Sequence, residues 1–291
     1  MKVLVLGSKG QLGSCLSDQF DKTNYSIVKT SRNELDIADL ADTKRKIIDI
    51  SPNVVINATA YTAVDEAEDD REVAESINHL AVANIANTCK ELDCWLFHVS
   101  TDYVFDGSSA TPYHENDQTN PQGVYGYTKL KGEQAIQSSD CKHIIIRTSW
   151  LFSEYGNNFL KTILRLGTVK DELSIVGDQI GCPTYAQDLA KTLISILSSL
   201  DLKETSSEIM HYCGEPVSSW YEFSKAIFLE AKKFGLKTPN MIYPIKTSAY
   251  PTPAVRPAYS VLDCSKIRNK YSINCSDWHD GIRKVLHKSY G

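Results

Sequence analysis

Five short apolar runs recur through the first 150 residues: "KVLVLG", "YSIVKT", "NVVINA", "CWLFHVS" and "HIIIRTSW". They do not alternate apolar with polar residues, so each reads as a strand buried on both faces rather than one with a wet side. Between them lie segments with helical spacing, notably "LADTKRKIIDI" and the long "DDREVAESINHLAVANIANTCKEL". A strand–helix rhythm of that kind builds a parallel sheet with right-handed crossovers. The expectation is an α/β fold, a doubly wound parallel sheet of Rossmann type, with a second, smaller α/β lobe.

The chain of 291 residues is long enough for both parts. After about residue 150 the rhythm loosens. "NNFLKTILRLG" and "AQDLAKTLISILSSL" have helical spacing, and "EIMHYCG" is strand-like. "SSWYEFSKAIFLEAKKFG" reads as a helix opened by a capping box of Ser219 and Glu222 and closed by Gly235. "YPTPAVRPAY", with three prolines, must be loop. We therefore divide the chain into a dinucleotide-binding domain, 1–150, and a mainly substrate-binding lobe, 151–291. Elements returning to the sheet are expected at about 180–215.

Bulk properties exclude several partners. Hydrophobic residues make up 42% and the net charge is −5 with no basic run, which leaves nucleic acid without its electrostatic handle. The opening apolar run, Val3 to Leu6, is too short for a signal peptide or a membrane span, so a cytoplasmic protein away from the membrane is expected. The eight cysteines include no Cys-x-x-Cys pair, and the histidines do not cluster; we read reduced thiols and no metal site. Cys182, in "GCPTY", stands nearest the expected cleft.

The first strand runs directly into "GSKGQLG", with Gly7, Gly10 and Gly13 and a helical pattern after them. Side-chain-free turns let backbone N–H groups and a helix amino terminus approach a pyrophosphate, which makes Gln11 and Leu12 cofactor neighbours as well. An acid at the end of the second strand would hold a ribose 2′-hydroxyl and favour NAD. This strand ends instead in "VKTSRNELD", so Arg32 with its hydroxyl neighbours suits a 2′-phosphate. NADP (NADPH) is the expected cofactor, NAD the alternative, and Asp36 a candidate for the adenine side. The third strand ends in "NATAYT", giving Ala58, Ala60 and Tyr61 at the ligand edge of the sheet, and the fourth in "STDYVFDG". Tyr125 and Lys129 in "YGYTKLKGE" are four apart and share one helix face.

Taken together these segments resemble the extended short-chain dehydrogenase/reductases, and within them the dTDP-4-dehydrorhamnose reductases. The likeness runs along most of the chain, through "STDYVFDG", "YGYTKLKGE", "RTSWLF", "DQIGCPTY" and "RPAYSVLD". In that family the catalytic hydroxyl stands 24 residues before the tyrosine, which selects Thr101 rather than Ser100. The resemblance thus implies a catalytic triad of Thr101, Tyr125 and Lys129. Lys129 would also hold the nicotinamide ribose, and Tyr103, Phe105, Trp150 and Arg256 would bind a nucleotide-sugar substrate. Some family members dimerise around a metal held by glutamates. Cys15 and Gln187 stand at two of those positions here, so a homodimer is expected to lack that bridge.

Reduction of a 4-keto sugar puts negative charge on the carbonyl oxygen, which must be stabilised and protonated. Tyr125 can give the proton, although a phenol starts near pKa 10. An ammonium about 4 Å away at an effective dielectric near 20 would favour the phenolate by at most roughly 4 kcal/mol. The related 4,6-dehydratases carry Thr-Asp-Glu where this chain has Thr101, Asp102 and Tyr103, so water elimination lacks its base. Two other readings attach to the same resemblance: a non-catalytic NADP-binding subunit like that of methionine adenosyltransferase, and a nucleotide-sugar epimerase retaining NAD.

Overall fold

The computed structural model describes residues 1–203 and 207–291; positions 204–206, inside the expected returning stretch, lie outside the described residues. The strands are β1 (Lys2–Leu6), β2 (Ser26–Thr30), β3 (Val54–Asn57), β4 (Trp95–Thr101) and β5 (His143–Thr148). The helices are α1 (Gln11–Phe20), α2 (Leu40–Ile50), α3 (Arg71–Glu75), α4 (Ala81–Glu91), α5 (Val124–Ser138), α6 (Phe159–Val169), α7 (Ala186–Ser198), α8 (Trp220–Lys233), α9 (Ser265–Tyr271) and α10 (Trp278–Tyr290). All five apolar runs form strands of one parallel sheet. Its order from one edge is β2, β1, β3, β4, β5, then the strand Glu208–His211.

The unbroken apolar character of the strands has the expected cause. Val3, Val5, Val54, Ile56, Phe97 and Ile146 point to the face covered by α1 and α7; Leu4, Leu6, Val55, Leu96 and Ile145 point to the face covered by α2 and α4. A third apolar cluster, with Phe152, Leu160, Phe223, Ile227, Trp278 and Ile282, holds α6, α8 and α10 together away from the sheet. α8 starts as the capping box requires: Ser219 Oγ accepts from the Glu222 N–H at 3.1 Å. Gly235, just past its end, has φ +71°.

The register aligns the carboxyl ends of the strands. Thr30 pairs with Leu6 and Leu6 with Asn57, while His98 pairs with Asn57 and Thr101 with Thr148. The chain leaves β1 toward β2 on one side and reaches β3 on the other, so the crevice of a doubly wound sheet opens between β1 and β3. The glycine turn and the "NATAYT" loop both border it. The long second helical segment is interrupted by a π turn, Ser76–Leu80, between α3 and α4.

Candidate active site

The cofactor half of the site is built by β1 and α1. Gly7 turns the chain with φ +81°, and the Gly7 and Ser8 N–H groups both donate to Thr30 O at 2.9 Å. A Cβ at Gly13 would lie 2.0 Å from Gly7 O, so only glycine lets the helix approach the strand this closely. No side chain caps α1, leaving the first-turn N–H groups directed into the crevice. This cradle fits a dinucleotide pyrophosphate. Leu12 packs its side chain into the core and offers only backbone there. Gln11 reaches across to the second lobe, accepting from Asn158 Nδ2 at 2.8 Å.

At the end of β2, Arg32 is 77% exposed and lies 3.8 Å from Asp36, so both candidates stand beside each other at the crevice rim. Glu34 was missed by sequence reasoning: its carboxylate accepts from both the N–H and the hydroxyl of Ser31 at 2.7 Å. The Ser31 N–H, followed by its hydroxyl, holds Glu34 below the usual carboxylate range. Ala58 and Ala60 line the turn after β3. The π turn presents Asn78, which accepts from the Tyr61 N–H at 2.9 Å and donates to Tyr61 O and to Thr128 on α5. Tyr61 itself donates its hydroxyl to Asp70.

Thr101 closes β4 and Tyr125 lies in the first turn of α5. Thr101 Oγ1 donates to Asp102 Oδ1 at 3.1 Å and accepts from the Tyr103 N–H at 3.2 Å. Burial raises the Tyr125 phenol to about 12, against the Thr101 hydrogen bond. Burial likewise raises the Asp102 carboxyl to about 6. Ser100 Oγ, Asp102 Oδ2, Thr148 Oγ1 and Ser260 Oγ are buried nearby without a hydrogen-bond partner among the described residues.

Lys129 lies one turn along α5, 1% exposed, but its ammonium turns to β4: it donates to Val99 O at 2.6 Å and meets His98 Nε2 at 3.1 Å. It does not act on Tyr125 in this arrangement, so the expected lowering of the phenol gives way to the burial effect. Burial also lowers Lys129 to about 8, with Glu133 opposing. His98 was absent from the sequence reading. Asn57 Oδ1 accepts from the Thr59 N–H at 3.1 Å, so the amide nitrogen faces His98 Nδ1 at 3.2 Å and donates to it. The ring proton then sits on Nε2, toward Lys129, an arrangement that favours neutral lysine.

The substrate candidates divide. Tyr103 packs edge-on against Tyr125, ring centroids 5.6 Å apart, and stands in the cleft. Phe105 does not line it: the ring is 2% exposed, stacked on Tyr113 at 4.3 Å and covered by the Arg147 guanidinium, because a fully apolar ring is worth more in the core. Trp150 is half-exposed, held at φ +46°, and stacked on Trp220 at 3.5 Å, so one face is already occupied by a residue that sequence reasoning assigned only to a helix. Arg256, on the proline-rich loop, reaches back to Asp65 at 2.7 Å, joining the second lobe to the loop after β3.

Cys15, on the core face of α1, is fully buried. Gln187 Nε2 donates to Asp18 at 2.6 Å and to Glu154 at 3.2 Å, and the Lys288 ammonium pairs with both acids. No group of three or more His, Cys, Asp or Glu side chains suited to a metal occurs among the described residues. No helix among them is long and apolar enough to cross a membrane.

A doubly wound sheet with an open glycine-turn cradle at the β1/β3 crevice, a strand-end hydroxyl and a Tyr-x-x-x-Lys helix defines an extended short-chain dehydrogenase/reductase. The family model described as RmlD substrate binding domain matches residues 1–290. A dTDP-4-dehydrorhamnose reductase of Aggregatibacter actinomycetemcomitans is 43% identical over 288 residues, 98% of each chain. Crystal structures of such reductases from Clostridium acetobutylicum and from Bacillus anthracis, the latter in complex with NADP, superpose with TM-scores of 0.92 and 0.90. Their identities are 34% and 33%, and 99% of each chain is covered. The chain belongs to the dTDP-4-dehydrorhamnose reductase family.

Proposed function

We propose that this protein reduces the 4-keto group of dTDP-4-dehydrorhamnose with NADPH, giving dTDP-rhamnose. The observation that carries the reading is the placement of Thr101, bonded to Asp102, and of Tyr125, packed edge-on against Tyr103, at the carboxyl ends of the strands and on the same sheet edge as the α1 cradle. NADPH, when bound, supplies the hydride. Gly7, Gly10 and Gly13 admit its pyrophosphate to the amino terminus of α1, and Arg32 takes the 2′-phosphate; the NADP complex of the Bacillus anthracis relative supports that cofactor. Thr101 orients the keto oxygen. Tyr125, whose burial keeps it protonated at neutral pH, gives that oxygen its proton. Lys129, one turn along α5 and lowered by burial to about 8, binds the nicotinamide ribose.

Tyr103 and Trp150 hold the sugar nucleotide and Arg256 its diphosphate, with Phe105 supporting the cleft floor from the core. Residues 1–150 form the cofactor half and 151–291 the substrate half, with α7 and the strand Glu208–His211 returning to the sheet. We place the protein in the cytoplasm, where its substrate would be made, and read any homodimer as formed without a metal bridge. The test is loss of NADPH absorbance with the 4-keto product of a dTDP-glucose 4,6-dehydratase after its epimerisation at C3 and C5 to dTDP-4-dehydrorhamnose, followed by identification of the sugar. Stoichiometric conversion to a dTDP-6-deoxyhexose supports the reading. Tight NADPH binding with no turnover, or epimerisation with retained NAD, contradicts it.

A further inference from the structure

Lys129 is held against β4 by contacts that fix which way each proton points. Asn57, at the end of β3, is buried; its Oδ1 accepts from the Thr59 N–H at 3.1 Å and from the Thr59 hydroxyl at 2.5 Å. A backbone N–H can only donate, so the amide cannot be turned round, and its Nδ2 faces His98 Nδ1 at 3.2 Å. His98 is fully buried. Burial, and after it the neighbouring Lys129, lowers the ring far below the usual histidine range, so it is neutral and carries one proton. Asn57 Nδ2 already supplies the hydrogen in its bond to Nδ1. The ring proton is therefore on Nε2, directed at Lys129 Nζ 3.1 Å away.

A nitrogen that receives an N–H needs a lone pair, and an ammonium has none. Lys129 in this position is thus a neutral amine, which accepts from His98 Nε2 and donates to Val99 O at 2.6 Å. The other ionisable groups around it do not reverse this. Glu133, one turn on along α5, turns both carboxylate oxygens to Arg147 on β5, at 2.7 to 3.2 Å. Tyr125, one turn back, is kept protonated by burial. His143, on β5, turns its Nδ1 to Cys141 O at 2.9 Å.

The geometry points to His98 as a positioning residue, its tautomer fixed by Asn57, that keeps Lys129 as a neutral amine until NADPH binds. The inference rests on the reading that Lys129 holds the nicotinamide ribose. Ribose hydroxyls accept as well as donate, so a lysine that leaves His98 for them meets acceptors in place of a fixed donor and takes up a proton from solvent. Cofactor binding is thereby coupled to proton uptake. Asn57 and His98 set its extent, acting through Lys129.

The test is calorimetric titration of the full-length protein with NADPH at about pH 8.5, in two buffers of different ionisation heat, which gives the protons taken up per cofactor bound. At that pH phosphates and unperturbed imidazoles have already lost their protons and contribute nothing. The expected uptake is about 0.25–0.5 proton, the slope that matches a roughly three- to tenfold change of affinity over two pH units. His98→Gln can turn its amide oxygen to the ammonium. Asn57→Asp keeps the shape but accepts a hydrogen bond from Nδ1–H, and so reverses the tautomer with the ring still in place. Both should bind NADPH with an uptake below about 0.1 proton; a merely structural histidine would leave the count unchanged in Asn57→Asp. NADPH binding without proton uptake in the unsubstituted protein, or uptake that survives Lys129→Met or both other substitutions, overturns the inference and leaves the cofactor reading in place. No NADPH binding at all overturns that reading and the inference with it. The unsubstituted protein and Lys129→Met decide the matter even if the other two variants do not fold.

Discussion

At the scale of single residues, the site is governed by burial acting on three ionisable groups in opposite directions. A buried phenol and a buried carboxyl resist ionisation, and a buried ammonium resists protonation. Tyr125 is therefore a proton reservoir, raised to about 12, rather than a standing phenolate. Asp102 moves from 3.8 to about 6, so the folded protein binds more protons than the unfolded chain between those values. Stability from this group is full below pH 4 and lost as pH rises through 6, by about 3 kcal/mol. Asp102→Asn lacks that slope: its urea-unfolding free energy relative to the unsubstituted protein should grow by about that amount from pH 4 to 7.5, and a constant difference would refute the assignment. Lys129, lowered to about 8, should lose its charge as pH passes that value. The dissociation constant for NADPH is then expected to rise roughly three- to tenfold between pH 7.5 and 9.5, and to stay flat in Lys129→Met, as read by cofactor fluorescence titration.

At the scale of elements, the geometry of the proposed catalytic site depends on how closely α5 approaches its neighbours. A Cβ at Gly126 would come 2.1 Å from Tyr103 O, in the turn that follows Thr101. Gly126→Ala should push α5 off that turn, costing about 1–3 kcal/mol of stability by denaturant titration. Turnover should fall at least about tenfold, since small misplacements of reacting groups cost more in rate than in stability. Normal turnover would show that the approach is not needed. The strands of this sheet were legible because each carries its own unbroken apolar run, and α8 because Ser219 and Gly235 mark its ends locally. The π turn was not legible: "SINHL" continues an ordinary helical pattern, and its cause lies in Asn78 reaching Tyr61 and Thr128 on other segments.

Over the whole molecule, the two halves share an apolar cluster in which Val261, Leu262 and Ile267 pack with Phe105 and Tyr113, and polar contacts such as Arg256 to Asp65 and Asn158 to Gln11 add to it. Tyr125 and Lys129 could be paired by their spacing on one helix, and Thr101 is added to them by the family resemblance. His98, Asp102 and Trp220 could not be read in either way, since their roles arise from pairings that only the folded chain creates. Phe105 shows the reverse, a cleft assignment overturned by stacking on Tyr113. Arg256 is part-exposed and its ion pair adds little to stability, so Arg256→Met should leave the melting temperature nearly unchanged. It should raise KM for the sugar nucleotide about tenfold or more through loss of a charge-assisted hydrogen bond, with kcat within about twofold. The most direct test of the account is NADPH oxidation by the unsubstituted protein and Tyr125→Phe in parallel, with NADPH affinity measured for both. The account predicts equal affinity and a fall in kcat of about two orders of magnitude or more. Undiminished turnover in Tyr125→Phe would contradict it.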